Sequence, residues 1–391
     1  MLDKLSIVGF KSIERLESFE LAKINVLIGG NGAGKSNLIE FFKMMRAMMG
    51  FRLAEFREFK PSLEIFLANK GGISNFLYAG LPQAGEISGT MLFNWRSNGY
   101  RFSIVPTADG GYRIGNEEFY YSGSRHLPSW LPDYGSGVKK ESCLPMRFMA
   151  ARDRGVTARE EYIYSAINSW QIYQFHDTSQ FAGARMPSLT SSGDSLRFDG
   201  GNLAAFLYAL KSETLHGIDA DKCRKAYWGI VDTIRVAAPY FDDFILEPYR
   251  EGEDEKVKLQ WRQKDMLMKF QPHHISDGTL RFMCIATVLL QPMPPQLVII
   301  DEPELGLHPE ALEVMAELIH RCQEKTQFIL ATQSPAFADF FVPEEVVTVQ
   351  RENGRSVFAR QSTDALGKWL DEYSVGQLWR KNVIRGGISN G

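Results

Sequence analysis

The chain has 391 residues, 44% of them hydrophobic and 23% charged, and a formal net charge of −3. That length suits two or three domains, or one large α/β domain carrying an insertion. The charge balance excludes a globally basic nucleic-acid binder and leaves only a local basic stripe for that role. Four cysteines, Cys143, Cys223, Cys284 and Cys322, lie far apart with no C-x-x-C, which argues against a disulfide framework and a structural zinc site. No stretch approaches the roughly 18 apolar residues that span a bilayer. The start MLDKLSIVGFKSIERL carries Asp3, Lys4 and Lys11 and no apolar core of signal length. The expectation is a reduced, cytoplasmic setting and no membrane.

In chain order, LSIVGF (5–10) and INVLIG (24–29) read as strands, and KSNLIEFFKMMRAMMG (35–50) as a helix stopped by Gly50. Residues 86–121 alternate in short runs separated by SNG, ADGG and GN, the pattern of an antiparallel meander. Residues 157–170 read as a helix and 170–179 as a strand running into a loop. The Gly- and Ser-rich stretch 181–201 reads as a mobile surface connection. NLAAFLYALKSET and CRKAYWGIVDTIRVAA have helical spacing, with Asn202 at an N-cap. FILEPYR and KVKLQWRQ flank the acidic turn EGEDE, the signature of a hairpin. HISDGTLRF (274–282) then opens an apolar segment with a Ser-Asp-Gly turn, a helix beginning near Thr279.

Three segments carry chemistry. INVLIGGNGAGKSNLIE (24–40) holds G-x-x-x-x-G-K-S from Gly29 to Ser36, after an apolar run and before a helix. Glycines there let backbone N–H groups wrap a polyphosphate at a helix N-terminus. Gly29, Gly30, Asn31, Gly32, Ala33, Gly34, Lys35, Ser36 and Asn37 are the expected nucleotide cradle. Lys35 sits near the β and γ phosphates and Ser36 offers its hydroxyl to Mg²⁺. PQLVIIDEPELGLHPEAL (295–312) reads as a buried parallel strand ending at Asp301, the second Mg²⁺ ligand, with Glu302 beyond it to polarise an attacking water. In FILATQSPAF (328–337), Gln333 or Ser334 is in reach of the γ-phosphate; the plain alternative is a strand-end turn closed by Pro335.

Phosphate loop, Ser-x-Gly turn, IIDEP and a polar switch after the last strand, in that order, resemble the ATP-binding-cassette class of ATPases. LSIVGFKSI and GGNGAGKSNLIEFF are similar to the RecF and structural-maintenance-of-chromosomes (SMC) branch. DEPELGLHP resembles the ATPase half of the overcoming-lysogenization-defect nucleases. YQFHDTS, LRFDGGNLAAFLYAL, SDGTLR and YSVGQLW resemble stand-alone bacterial AAA-type ATPases, over nearly the whole chain. The resemblance implies an α/β bilobal head: a mixed sheet around the phosphate loop, an antiparallel meander and an inserted helical lobe. It implies a division into 1–180, 181–272 and 273–391.

It also implies a head-to-tail homodimer, or a higher homo-oligomer, that sandwiches ATP. Ser276, Asp277 and Gly278 would then complete the partner's site in trans, with Glu302, Lys35 and Gln333 catalytic. The class keeps a Mg²⁺- and γ-phosphate-sensing glutamine where Gln174, His176 and Asp177 lie; the sequence does not choose among them, and Asp177 is equally a structural cap. By the same analogy Lys11 approaches the nucleotide. Asp277 replaces a glycine and Thr279 a glutamine of the transporter signature, and Gln333 stands where many relatives keep a histidine, so slow hydrolysis is expected. His308 reads as a surface or capping residue, with a place at the dimer seam as the alternative, and the adjacent His273 and His274 as no metal pair. RFMAARDRG (147–155), with Arg147, Arg152 and Arg154, suits either phosphodiesters or surface ion pairs. The expected roles are a switch in DNA maintenance or phage defence, with double-stranded DNA as a possible partner, or a nucleotide-gated scaffold for a separate nuclease or toxin. A transporter engine ranks third.

Overall fold

The computed structural model describes residues 1–384 apart from 53–58, 61, 79–84, 123–129, 133–138, 155–159 and 176. Its core sheet runs, edge to edge, Gln171–Tyr173, Leu297–Asp301, Gln327–Thr332, Ile24–Ile28, Val346–Glu352 and Arg355–Arg360. The first five are parallel and the last is an antiparallel edge. Every residue of Ile24–Ile28 and Gln327–Thr332 is buried, as a sheet covered on both faces requires. Alternate residues feed two separate cores. Val26, Ile28, Val298, Ile300, Phe328 and Leu330 face one; Leu27, Leu297, Ile299, Ile329 and Val347 face the other.

The second of those cores lies against an antiparallel sheet ordered Ile13–Glu20, Leu2–Phe10, Ile87–Phe93, Asn98–Pro106, Tyr112–Tyr121 and Trp130–Pro132. The meander read at 86–121 forms its middle, and the N-terminal strand, longer than read, pairs with it. The helix Lys35–Met48 is held between the sheets by aromatic packing. Phe41 meets Phe10 edge-on at 5.4 Å and stacks on Phe102 at 6.3 Å, and Phe42 meets Trp170 at 5.2 Å. The buried Gln327 side chain stitches sheet to sheet. It accepts from Leu2 N (3.0 Å) and donates to Leu2 O (2.8 Å) and Ala22 O (2.9 Å).

The first core takes the helices Leu203–Lys211, Ala220–Ala237, Asp277–Leu290 and Pro309–Cys322. The acidic turn joins the hairpin Pro248–Glu251/Asp254–Val257, as its flanks implied. Phe241–Ile245 and Gln260–Gln263 pair in a second small sheet. Three expectations need correcting. Residues 181–201 are no loose surface connection: Ala182, Ala184, Arg185 and Leu196 are buried there, and Gln174 N donates to Phe198 O at 3.1 Å. Asn202 stands at an N-cap, yet its side chain accepts from Arg197 N and donates to Ser192 O and Ser195 O, pinning the preceding loop instead of the helix. The helix of the Ser-Asp-Gly turn begins at Asp277, with the Ser276 hydroxyl accepting from Thr279 N as its cap. Beyond the last strands, Gly376 N donates to Asp339 Oδ1 at 2.6 Å, docking the YSVGQLW segment on the short helix Pro335–Ala338.

Candidate nucleotide site

The parallel strands all end on one side, and the chemistry-bearing residues sit there. After Ile28 the chain turns through Gly29–Gly34 and enters its helix at Lys35. Gly34 is left-handed at φ 117°, and a Cβ there would lie 2.0 Å from Ser356 Oγ. That closeness has a purpose. Ser356 Oγ donates to Ala33 O (2.6 Å) and meets Ser12 Oγ (2.7 Å), while Asn37 Nδ2 donates to Ser12 Oγ (2.6 Å). Two hydroxyls from opposite ends of the chain thus hold the loop from outside. Neither serine belongs to the loop motif, and nothing local in the sequence marks them. Asn31 and Gly32 are exposed and Ala33 is buried. Lys35 is 6% exposed, and its ammonium donates to Gly29 O (2.5 Å) and Gly30 O (3.2 Å). Burial lowers its pKa, against the raising influence of Asp301, Glu302 and Glu304.

Those carboxylates lie at and just beyond the end of Leu297–Asp301, the next strand but one from Ile24–Ile28. Its last residue, Asp301, is half-buried. Glu302 takes a left-handed φ of 49°, uncommon for a side-chain-bearing residue, and donates its backbone N–H to Ala331 O at 2.8 Å. The turn aims its carboxylate at Gln333, whose Nε2 donates to Glu302 Oε1. Glu304, which is none of the site residues singled out above, organises the switch from beneath. Its Oε1 accepts from Thr332 Oγ1 (2.6 Å) and Gln333 N (3.2 Å), and its buried Oε2 has no hydrogen-bond partner among the described residues. Burial raises its pKa, with the hydrogen bonds opposing. Ser334 caps the following helix by accepting from Phe337 N at 3.2 Å, so of the two switch candidates Gln333 alone reaches the acid.

The Ser-Asp-Gly turn is built by contacts within its own chain. Ser276 is exposed, and its hydroxyl donates to Thr279 Oγ1 at 2.8 Å. Asp277 accepts from the buried Arg185 at 2.7 Å. Gly278 lies against the turn after Glu304: a Cβ there would sit 2.0 Å from Gly306 O. Arg281, also buried, donates from Nε to Phe175 O (2.8 Å) and from Nη1 to Leu305 O.

Of the sensing candidates, Gln174 follows Tyr173, which pairs in register with Ile300, so Gln174 stands level with Asp301. Asp177 accepts from Ser179 N at 3.0 Å as a turn cap, and His176 lies outside the described residues. Lys11 turns to Glu40 at 2.5 Å and over the Phe76 ring, and the ion contact and the ring account for its place. Arg147 pairs with Glu160 at 2.9 Å and Arg154 donates to Ala150 O; of the Arg152 side chain nothing is described. His308 holds an N-cap position without a side-chain cap bond, and His274 Nδ1 accepts from Gln271 N. Ser36 is exposed in the first helical turn. Its hydroxyl and the Asp301 carboxylate are hard oxygen donors on neighbouring elements, a set that fits Mg²⁺, which takes one or two protein oxygens beside phosphate and water.

A phosphate loop on one parallel strand, an acidic pair on the next but one, and an antiparallel sheet clasping the loop helix define an ABC-type ATPase head. The chain belongs to the family described as "AAA domain, putative AbiEii toxin, Type IV TA system", which matches residues 24–339. It is similar to a "Putative ABC transporter ATP-binding protein" of Methanothermobacter marburgensis, 33% identical over 102 residues, or 24% of this chain and 36% of that protein. It is also similar to the energy-coupling factor transporter ATP-binding protein EcfA2 of Geobacillus kaustophilus, 33% identical over 95 residues, 24% of this chain and 32% of that one. The matches thus span about a third of each curated relative. Among solved structures, an SMC head bound to the C-terminal winged-helix domain of ScpA shares the fold at a TM-score of 0.58 and 16% identity, over 94% of this chain and 99% of that one. A Pyrococcus furiosus-derived Smc head with an extended coiled coil does so at 0.52 and 16%, over 95% and 98%. Among the described residues no helix is long and apolar enough to cross a membrane.

Proposed function

We propose that this protein hydrolyses ATP and uses the nucleotide as a switch for its own dimerisation. The observation that carries this reading is the gathering of Lys35, Asp301, Glu302 and Gln333 at the ends of adjoining strands. In this reading the loop amides from Gly29 to Asn37 cradle the phosphates, and Lys35 leaves its own loop carbonyls for the β and γ oxygens. Ser36 and Asp301 would hold Mg²⁺, which neutralises charge shared between those phosphates. Glu302 takes the proton of the attacking water, oriented by Gln333, and Gln174 senses the γ-phosphate. Ser276 and the Gly278 turn close the pocket from a second copy, the helix N-terminus favouring negative charge. Residues 1–180 and 273–391 build the ATPase lobe, and 181–272 the inserted lobe that carries the closing motion.

The role served is a switch in DNA maintenance or phage defence in the cytoplasm, a setting consistent with the four free thiols. A second reading, a nucleotide-gated scaffold that holds and releases a separate toxin or nuclease, is favoured by the Gln333–Glu302 contact. An amide already bound to the base, and unable to change charge, suits slow turnover. The family's own description names a toxin–antitoxin system.

Both readings make Glu302→Gln the informative variant. It is expected to bind ATP, lose turnover by at least about a hundredfold, and run as a dimer on size-exclusion chromatography only with ATP present. Parent-level hydrolysis in this variant removes Glu302 as the base. Lys35→Ala is expected to bind no ATP. Duplex DNA that raises parent turnover selects the first role; an ATP-dependent complex with a second protein, indifferent to DNA, selects the other.

A further inference from the structure

We infer that Arg185 is the positioning residue of the trans-acting turn, a claim that rests on the shared pocket proposed above. The guanidinium side chain is 6% exposed. It donates from Nε to Thr178 O (3.0 Å), from Nη1 to Pro272 O (2.5 Å) and Ile275 O (2.9 Å), and from Nη2 to Asp277 Oδ1 (2.7 Å). Three of these acceptors bracket Ser276 on both sides. The fourth belongs to the segment that follows Gln174. One planar fork therefore fixes the turn that faces outward and ties it to the strand end that lies beside Asp301.

The charge pattern points the same way. A buried guanidinium needs a carboxylate partner, and Asp277, whose side chain is 65% exposed, is the one that Arg185 reaches. An acid at the tip of a turn meant to meet a triphosphate is unfavourable unless its charge is already matched. Arg185 matches it and leaves the Ser276 hydroxyl and the helix N-terminus to make the contact. The Asp in place of the transporter-type glycine is thus part of a pair whose other half lies in the inserted lobe.

The test separates a positioning role from general damage. Arg185→Gln is expected to bind ATP within about twofold of the parent, because its own loop is intact, and to lose turnover by at least about tenfold. Arg185→Lys is expected to be little better, since an ammonium cannot span four acceptors. Equimolar Arg185→Gln and Glu302→Gln, mixed before ATP is added and each strongly impaired alone, should recover about a quarter of parent activity. Half of the randomly formed two-fold dimers are mixed, and one of their two sites joins a sound acid to a sound turn. Glu302→Gln with Ser276→Ala is the control pair. If the control pair recovers activity and the Arg185 pair does not, Arg185 serves its own subunit and the inference is overturned. If neither recovers, the shared pocket itself fails and takes the inference with it. Should Arg185→Gln not bind ATP, Asp277→Asn carries the same comparison from the exposed end: loss of turnover, recovered by Glu302→Gln, supports the pair, and parent-level turnover overturns it.

Discussion

At the scale of single residues, Glu304 is set by burial and Gly278 by close backbone approach. Glu304 is a mostly buried acid with one oxygen satisfied and one not. Burial raises its pKa above the ordinary 4.5. The folded chain therefore holds this proton more tightly than the unfolded chain does. The stability it contributes is complete below the ordinary carboxylate range and is lost as pH rises through the raised value, at about 1.4 kcal/mol per unit of separation. Glu304→Gln should flatten the dependence of Tm on pH over that window in calorimetric scans, since an amide oxygen still accepts from Thr332 and Gln333. Gly278→Ala would force a Cβ against a backbone carbonyl, Gly306 O, that cannot step aside. A loss of about 1–3 kcal/mol in urea unfolding is expected, with ATP binding retained and turnover lost. Much of the site was legible at this scale. A Gly-rich run ending in Lys-Ser after an apolar stretch, and an acid pair after another, are local patterns with one chemical use. Ser12, Ser356, Arg185 and Glu304 were not, because each acts through a partner distant in sequence or through burial.

Elements were legible where one physical cause dominates. Residues 24–29 read as a strand, and the stretch ending at Asp301 as a buried parallel one, because the apolar run is continuous where both faces are covered. The meander read correctly because turns punctuate it. Residues 181–201 misled because Gly and Ser serve close backbone approach as well as loops. Gly183, for instance, lies where a Cβ would come within 2.9 Å of Gly201 Cα. What composition cannot show is how the two sheets are fastened. Gln327→Ala would take this partner from Leu2 N and O in a buried seam, while Ala22 O keeps its bond from Asn25 Nδ2. The expected cost is about 3 kcal/mol, read as a shift of the urea midpoint, with the isolated strand pairings of each sheet unchanged.

For the whole molecule, ligand binding and fold stability should be one quantity. The phosphate loop is bonded to the first sheet through Ser12 and to the last hairpin through Ser356. ATP at a hundred times its Kd should stabilise the parent by about 2.7 kcal/mol, seen as a rise of a single thermal transition, and should leave Lys35→Ala unmoved. The same two hydroxyls impose an order on the molecule's birth. They stand 344 positions apart, so the cradle around Gly34 acquires its outer brace only after a ribosome has added the hairpin that carries Ser356. A chain halted before that point carries the loop and its helix without the hydroxyl that holds Ala33 O. Thermal scans with ATP of a chain cut before Ser356 should therefore show a smaller rise than the parent gives.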